Sequence, residues 1–366
     1  MRKAAVTLAL LGLAAPAAAQ SGYERFSLDT TAAIDFFGGN NVSSRPQIIF
    51  DITATANLGN GWQAFFRPWF RLPRPAVTNG VEGTIPPWDA QIYQASLRYE
   101  HIGDVSTRVD VGYMPSPIGL GMFDVNPRQN PMISGHASYF VPMLPFDTGS
   151  ARVPAIASTY PLAGVFTASS NHWDARAAVV NSSPVRISIA GVTANPRSTP
   201  VFEAGAGVTP IIGLRLGGVF AHGAYLTKDE LAPTLPQGDR TVTMAGFEGE
   251  YAFRFTKISG EAIHDTFETP TGNVGATEWF VQATQTLSPR WYVAGRHEGT
   301  SAPIVGTGVL FSAQPAMYAN EVTVGFRVTR DVLIKGSYYA RQPYRTTPQP
   351  WDKQAAIQAV FQKRWW

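Results

Sequence analysis

The chain has 366 residues, with 29 Lys+Arg against 26 Asp+Glu, no cysteine, and charged residues at only 15%. The lack of cysteine excludes disulfides, cysteine lipidation and thiolate metal sites. The near balance of charge, without any basic run, excludes a nucleic-acid tract. Length alone suggests two domains, but a single β-barrel often exceeds that size.

The first residues read as a secretory signal peptide over 1–19. Arg2 and Lys3 form the positive region, Ala4 to Ala15 the apolar region, and Ala17-Ala18-Ala19 an A-x-A cleavage pattern before Gln20. The apolar stretch is too short to span a hydrocarbon core about 30 Å thick, which takes about 20 residues. Without Arg2 and Lys3 the basic total falls from 29 to 27 against 26 acidic residues, so the exported chain is nearly neutral. Residues 20–366 are expected to form one domain.

Beyond the leader the recurring pattern is a period of two, the mark of a half-buried strand. Ile48, Phe50, Ile52 and Ala54 alternate with Asp51, Thr53 and Thr55. Tyr93, Ala95, Leu97 and Tyr99 alternate with Gln94, Ser96, Arg98 and Glu100, and Val332 to Arg341 repeats the scheme. Short turns are expected near 58–61, 101–107, 169–172, 209–212, 253–256, 287–290 and 329–331. Longer Pro- and Gly-rich loops are expected near 38–46, 72–89, 114–153, 182–199, 224–239, 267–274, 300–315 and 342–352. Seven turns and eight loops join sixteen strands, and a miscount of one hairpin would give 14 or 18.

Several turns carry flanking aromatics, as in "NLGNGW", "SSNHW" and "LSPRW". Alternating strands, short turns opposite long loops and aromatic girdles predict an all-β, transmembrane antiparallel β-barrel of about 16 strands in a bacterial outer membrane. The reason is physical: lipid offers no hydrogen bonds, so strands cross it only in a closed sheet without free edges. An exported soluble all-β protein would also alternate. The clustering of aromatics at strand ends favours the barrel.

If apolar residues face lipid, the other parity lines the lumen. Arg67, Arg71, Arg98 and Arg108 then lie inside on strands 3 to 5, with Gln63, Trp69 and Gln94. Glu248, Glu250, Glu261 and Asp265 lie inside on strands 10 to 12, with Gln282 and Thr284. Facing walls of opposite charge would set up a transverse field and sort solutes by charge. Glu100 and Asp110 in the basic sector, and Lys257 in the acidic one, allow local pairing instead. The connection 114–153 is the longest, and long unstructured loops are usually functional. Its apolar residues (Met122, Phe123, Tyr139 and Phe140 among them) predict folding into the lumen, presenting Asp124, Arg128, Asp147 and Arg152 to the pore. The alternative is an external loop packed on its neighbours or on another protomer.

The segments "VGYMPSPIGLGMF" (111–123) and "FTASSNHWDARAAVVNSSP" (166–184) resemble a strand, loop start and following hairpin of the phosphate-selective porin O/P superfamily. The resemblance covers about a fifth of the chain. It implies a sixteen-stranded, usually homotrimeric diffusion channel. The chemistry departs from that family, because the long loop sets only Arg128 and Arg152 against Asp124 and Asp147. Phosphate selectivity is therefore not carried over.

Other sites are weakly supported. The six histidines lack metal-ligand spacing, so neither metal nor cofactor is expected. His136 and Ser138 invite a phospholipase-like reading with Asn130 as orienter, but they sit in a loop. The Gly205-Ala206-Gly207 run lies on a strand, where it relieves crowding rather than cradling phosphate. The terminal "AIQAVFQKRWW" reads as a closing strand, with Phe361, Trp365 and Trp366 as the aromatic signal for barrel-assembly machinery. The expectation is thus a passive channel for small hydrophilic solutes or ions, set in a lipid bilayer. A barrel enzyme, a hydrophobic-substrate channel and a non-conducting structural barrel are the alternatives.

Overall fold

Every backbone group of a lipid-crossing strand needs a partner, so the ladder must close on itself. It does so in a computed structural model that describes residues 25–39, 42–75, 77–78, 81–84, 86–139, 144–145, 152–153, 156, 159–186, 199–231, 238–269, 272–301, 316–344 and 351–365.

Sixteen strands form a closed antiparallel barrel. They are β1 (Phe26–Gly39), β2 (Gln47–Gly59), β3 (Trp62–Leu72), β4 (Asp89–His101), β5 (Ser106–Tyr113), β6 (Leu162–Ser169), β7 (Trp173–Val180) and β8 (Val201–Ile211). The second half is β9 (Leu214–Leu226), β10 (Arg240–Phe253), β11 (Thr256–Thr269), β12 (Gly272–Thr286), β13 (Trp291–Ser301), β14 (Ala316–Arg327), β15 (Val332–Tyr344) and β16 (Asp352–Arg364). Each pairs with its sequence neighbours, and β16 closes on β1 from Asp29↔Arg364 to Gly39↔Gln354. Both ends of the strand sequence thus serve as each other's covered edge.

The seven short turns read from the sequence all lie at one end, and the β11–β12 connection lies at the other. The two-residue turn between β8 and β9 needs Gly213 at φ 88°, where an added Cβ would run into the carbonyl of Ala252. Alternation sorts the faces: on β15, Ile334 and Tyr338 are 42% and 52% exposed outside, while Leu333, Lys335 and Tyr339 are buried inside. Phe166, Phe202, Phe220 and Phe247 continue the apolar outer band on other strands. No helix among the described residues is long and apolar enough to cross a membrane.

Three local expectations are corrected. Residues 267–274 do not form a long loop: β11 and β12 pair up to Thr269↔Gly272, and the Thr269 hydroxyl donates to the Gly272 carbonyl at 2.6 Å. The long connection does not stop at 153 but runs to β6 at Leu162, with Arg152–Val153 paired to Leu144–Pro145 in a small sheet of its own. Tyr93 does not face lipid. Pro68 has no N–H for the ladder, and the β3–β4 register shifts between Arg67 and Pro68. The bulge turns Tyr93 inward, where it stacks between Trp69 at 5.0 Å and Tyr160 at 4.2 Å.

The core lies inside the barrel, between wall and in-folded connection. Ile118, Met122, Met132, Tyr139, Ile156 and Tyr160 of the connection pack with wall residues such as Met244, Ile263, Phe267 and Leu333.

Candidate functional site

The connection after β5 cannot enter a polar lumen unless its backbone groups find partners there. Inward charges of the far wall supply them. Lys335 on β15 donates to the carbonyls of Pro127 (2.6 Å), Asn130 (2.8 Å) and Met132 (2.9 Å). Arg296 on β13 donates to those of Ser134 (3.1 Å) and Gly135 (2.8 Å), and pairs with Glu321 on β14 at 3.1 Å. Glu321 in turn accepts the Ile133 and Ser134 amides at 3.0 and 3.2 Å.

Glu261 on β11 receives the Leu120 amide, at the start of the 3-10 turn Leu120–Val125, and the Tyr139 hydroxyl at 2.5 Å. Burial and the adjacent Glu261 push the Tyr139 phenol well above its usual range, so it stays the donor. On the near wall, the Asn126 amide reaches Asp51 at 2.9 Å.

The charges expected to line the pore face inward, yet most are matched at close range. Arg67 makes a two-point contact with Asp51 (2.9 and 2.6 Å), and Arg71 meets Asp89 at 3.3 Å. Arg98 and Arg108 share Asp110 at 2.7 and 2.8 Å. Glu248 lies between Arg176 (2.8 Å) and Arg215 (2.7 Å), and Glu250 takes Lys257 at 2.6 Å.

Glu261 and Asp265 are corrected more strongly. They are 5% and 0% exposed, and the in-folded connection bonds Glu261 through Leu120 and Tyr139, so neither faces open water. The structure therefore presents locally paired charge rather than one open basic wall opposite one open acidic wall. Parity fixes which face a charge occupies, but not what the loop lays over it.

In the loop, Asp124 Oδ2 bonds His136 Nε2 at 3.0 Å and the Gln282 amide at 3.4 Å. Asn130 does not orient His136, since its side chain serves Ser134 O and the Met132 amide. Burial lowers the Arg128 guanidinium from its usual range, and the like charge of Arg327 adds to that. The Arg128 guanidinium donates to the Arg330 carbonyl at 2.8 Å. Asp147, Trp366 and the side chains of Ser138 and Arg152 lie outside the described residues. Phe361 and Trp365 point outward, and the Trp365 indole donates to the Thr30 hydroxyl at 2.9 Å.

Between the loop and the short-turn end lies a cavity of about 630 Å³. Leu120, Asp124 and Arg128 border it from the loop, and Arg176, Arg215 and Arg327 from the wall. Gly205 and Gly207 leave room for this row: an added Cβ would come within 2.8 Å of Arg176 and Arg215 respectively. Sequence reasoning missed Arg176, Arg215, Arg296, Glu321 and Arg327, although the alternation that found Arg98 also runs through β7, β9, β13 and β14. Among the described residues no group of three or more His, Asp or Glu side chains could hold a metal.

No protein-family model matches the chain, and no curated protein matches it. Solved structures do. OmpF of Salmonella typhi, in complex with daunomycin, is similar at TM-score 0.60 and 10% identity, covering 92% of this chain and 97% of that one. The outer membrane channel DcaP of Acinetobacter baumannii gives 0.57 at 8% identity, covering 92% and 96%. An anion-selective porin from Comamonas acidovorans gives 0.54 at 10% identity, covering 93% and 98%. At such identities the likeness concerns the fold, and the fold is that of outer-membrane porin barrels.

Proposed function

We infer that the chain is a porin of the bacterial outer membrane, through which small hydrophilic solutes or ions diffuse passively down their gradients. One observation carries this reading: a closed barrel encloses a polar, charge-lined cavity of about 630 Å³ while its outer face is a band of exposed phenylalanines. Such a body suits lipid outside and water inside. Selectivity then comes from constriction width and wall charge, with Arg67, Arg71, Arg98, Arg108, Glu248 and Glu250 on the wall and Asp124 and Arg128 on the loop.

The two segments that resemble the phosphate-selective porin O/P superfamily support a diffusion channel and a homotrimer. They do not support phosphate preference. Phe361, Trp365 and Trp366 serve as the recognition signal for assembly into the bilayer. No bond-breaking step is included: both ring nitrogens of His136 face carboxylates, Nε2 at 3.0 Å from Asp124 and Nδ1 at 3.8 Å from Glu298, which leaves neither for a nucleophile.

The test is reconstitution of the folded protein in planar bilayers under a salt gradient. Stepwise conductance is expected, and the reversal potential reads the ion preference. Correctly folded barrel that never conducts would overturn the reading.

A further inference from the structure

The cavity beside the loop holds unused hydrogen-bonding capacity of two opposite kinds. Its bordering cations differ in their partners. Arg176, Arg215 and Lys257 are matched by Glu248, Asp174 and Glu250. Arg128 and Arg327 hydrogen-bond only backbone carbonyls, of Arg330 at 2.8 Å and of Pro289 at 3.4 Å, with the Asp331 carboxylate a weaker, unbonded opposite charge on Arg128. The Arg128 Nη1 is buried without a partner. Arg327 also lies over the Tyr292 ring at 5.4 Å, which keeps its guanidinium against the cavity wall. Two like charges held together are relieved by an anion placed between them.

The acceptors are on Asp124 and Gln282. Gln282 is only 6% exposed and gives its amide nitrogen to Asp124 Oδ2. A carboxylate can only accept, so the Gln282 Oε1 is left over, and it is buried without a donor. Both bonds to Asp124 fall on Oδ2, which leaves Oδ1 for the cavity. Asp124 and Arg128 are four residues apart, so their Cα atoms are separated by at most about 14 Å. That is a span for a small solute with one charge at each end.

We propose that this cavity is a subsite for zwitterions of the amino-acid and short-peptide class, with the carboxylate between Arg128 and Arg327 and the ammonium on Asp124 and Gln282. The proposal rests on the channel reading and narrows its solute class. A simple anion would use one end only, and a simple cation the other. A zwitterion satisfies both sets of unused groups at once, and a cavity of about 630 Å³ is of ordinary ligand-site size.

The test is isothermal titration of the full folded barrel in detergent with alanyl-alanine, propionate and ethylamine. Saturable binding of alanyl-alanine is expected, at least tenfold tighter than either half-ligand. Arg327→Gln should weaken alanyl-alanine and propionate alike, by tenfold or more. Asp124→Asn should weaken alanyl-alanine but leave propionate unchanged. Gln282→Leu gives a second probe of the ammonium end should Asp124→Asn fail to fold.

No binding of alanyl-alanine, or binding no tighter than propionate and indifferent to Asp124→Asn and Gln282→Leu, would overturn the proposal. Conductance of the same preparation separates the two claims. A barrel that conducts but binds no dipeptide loses the subsite alone, and one that binds without conducting loses the channel alone.

Discussion

The ammonium of Lys335 on β15 donates to the carbonyl of Asn130 at 2.8 Å, across 205 residues of sequence. With Pro127 and Met132 it forms a three-carbonyl clasp that holds the in-folded connection to the far wall. Lys335→Met keeps the apolar stem but removes the donors, each buried carbonyl losing about 1–3 kcal/mol if no water replaces it. The expected result is a released loop, read as new tryptic cleavage after Arg128 in the reconstituted protein and as noisier conductance. A loop still resistant to trypsin would show that Arg296 and Glu261 suffice.

Arg98 and Arg108 share one carboxylate, Asp110, so this trio carries one net positive charge. Arg98→Glu turns it to one net negative charge. The reversal potential under a salt gradient should move toward cation preference. No movement would place Arg98 away from the limiting section.

Gly205 sits under the Arg176 guanidinium, 2.8 Å from where a Cβ would lie. Gly205→Val should push Arg176 off Glu248 and destabilise the barrel by about 1–3 kcal/mol through overpacking. Gly164 on β6 has nothing within 4 Å of an added Cβ, so Gly164→Val is the near-neutral comparison. Denaturant unfolding of both variants in detergent reads the difference, and equal stabilities would dismiss the crowding argument.

Glu82, beyond β3, accepts from Ser43 at 2.8 Å and from Arg45 at 3.0 Å, which hold its carboxyl below the usual value of 4.5. The folded pKa is depressed, so this link between segments 43–45 and 82 is complete above the usual value. It is lost as pH falls through the lower folded one. A carboxyl-carbon NMR titration should show a midpoint below 4.5 for Glu82, with Ser43→Ala and Arg45→Gln each moving it back upward. An unshifted midpoint in the unmodified protein would mean that the contact does not persist in solution.

Much of the wall was legible beforehand because its rule is local. Each strand residue points in or out by counting twos, and lipid permits no exception without a compensating bulge. Thus Phe50 and Asp51, or Ile334 and Lys335, sort correctly from sequence. Tyr93 did not, because the bulge at Pro68 resets the count, and a bulge depends on how two strands pair rather than on either alone. The tight β11–β12 hairpin was missed because its polar Glu268-to-Asn273 stretch looks like loop even though it pairs to the end.

The site was half legible. Arg98, Arg108, Glu248 and Glu250 were placed on the inner face with Asp110 and Lys257 near enough to pair, but Arg176 and Arg215 beside Glu248 were not found. Sequence by itself determined that the strands alternate, that they close with β16 on β1, and where the turns fall, since backbone pairing and side-chain parity are near-neighbour properties. In-folding of the connection was expected from its apolar residues, but only the tertiary structure decided that residues 120–139 meet Lys335, Arg296 and Glu261, that Asp265 is buried, and that Arg128 and Arg327 hydrogen-bond only backbone carbonyls beside Asp124. Those outcomes depend on which charges meet across the width of the barrel, and contacts between residues 100 or 200 positions apart leave no period in a sequence.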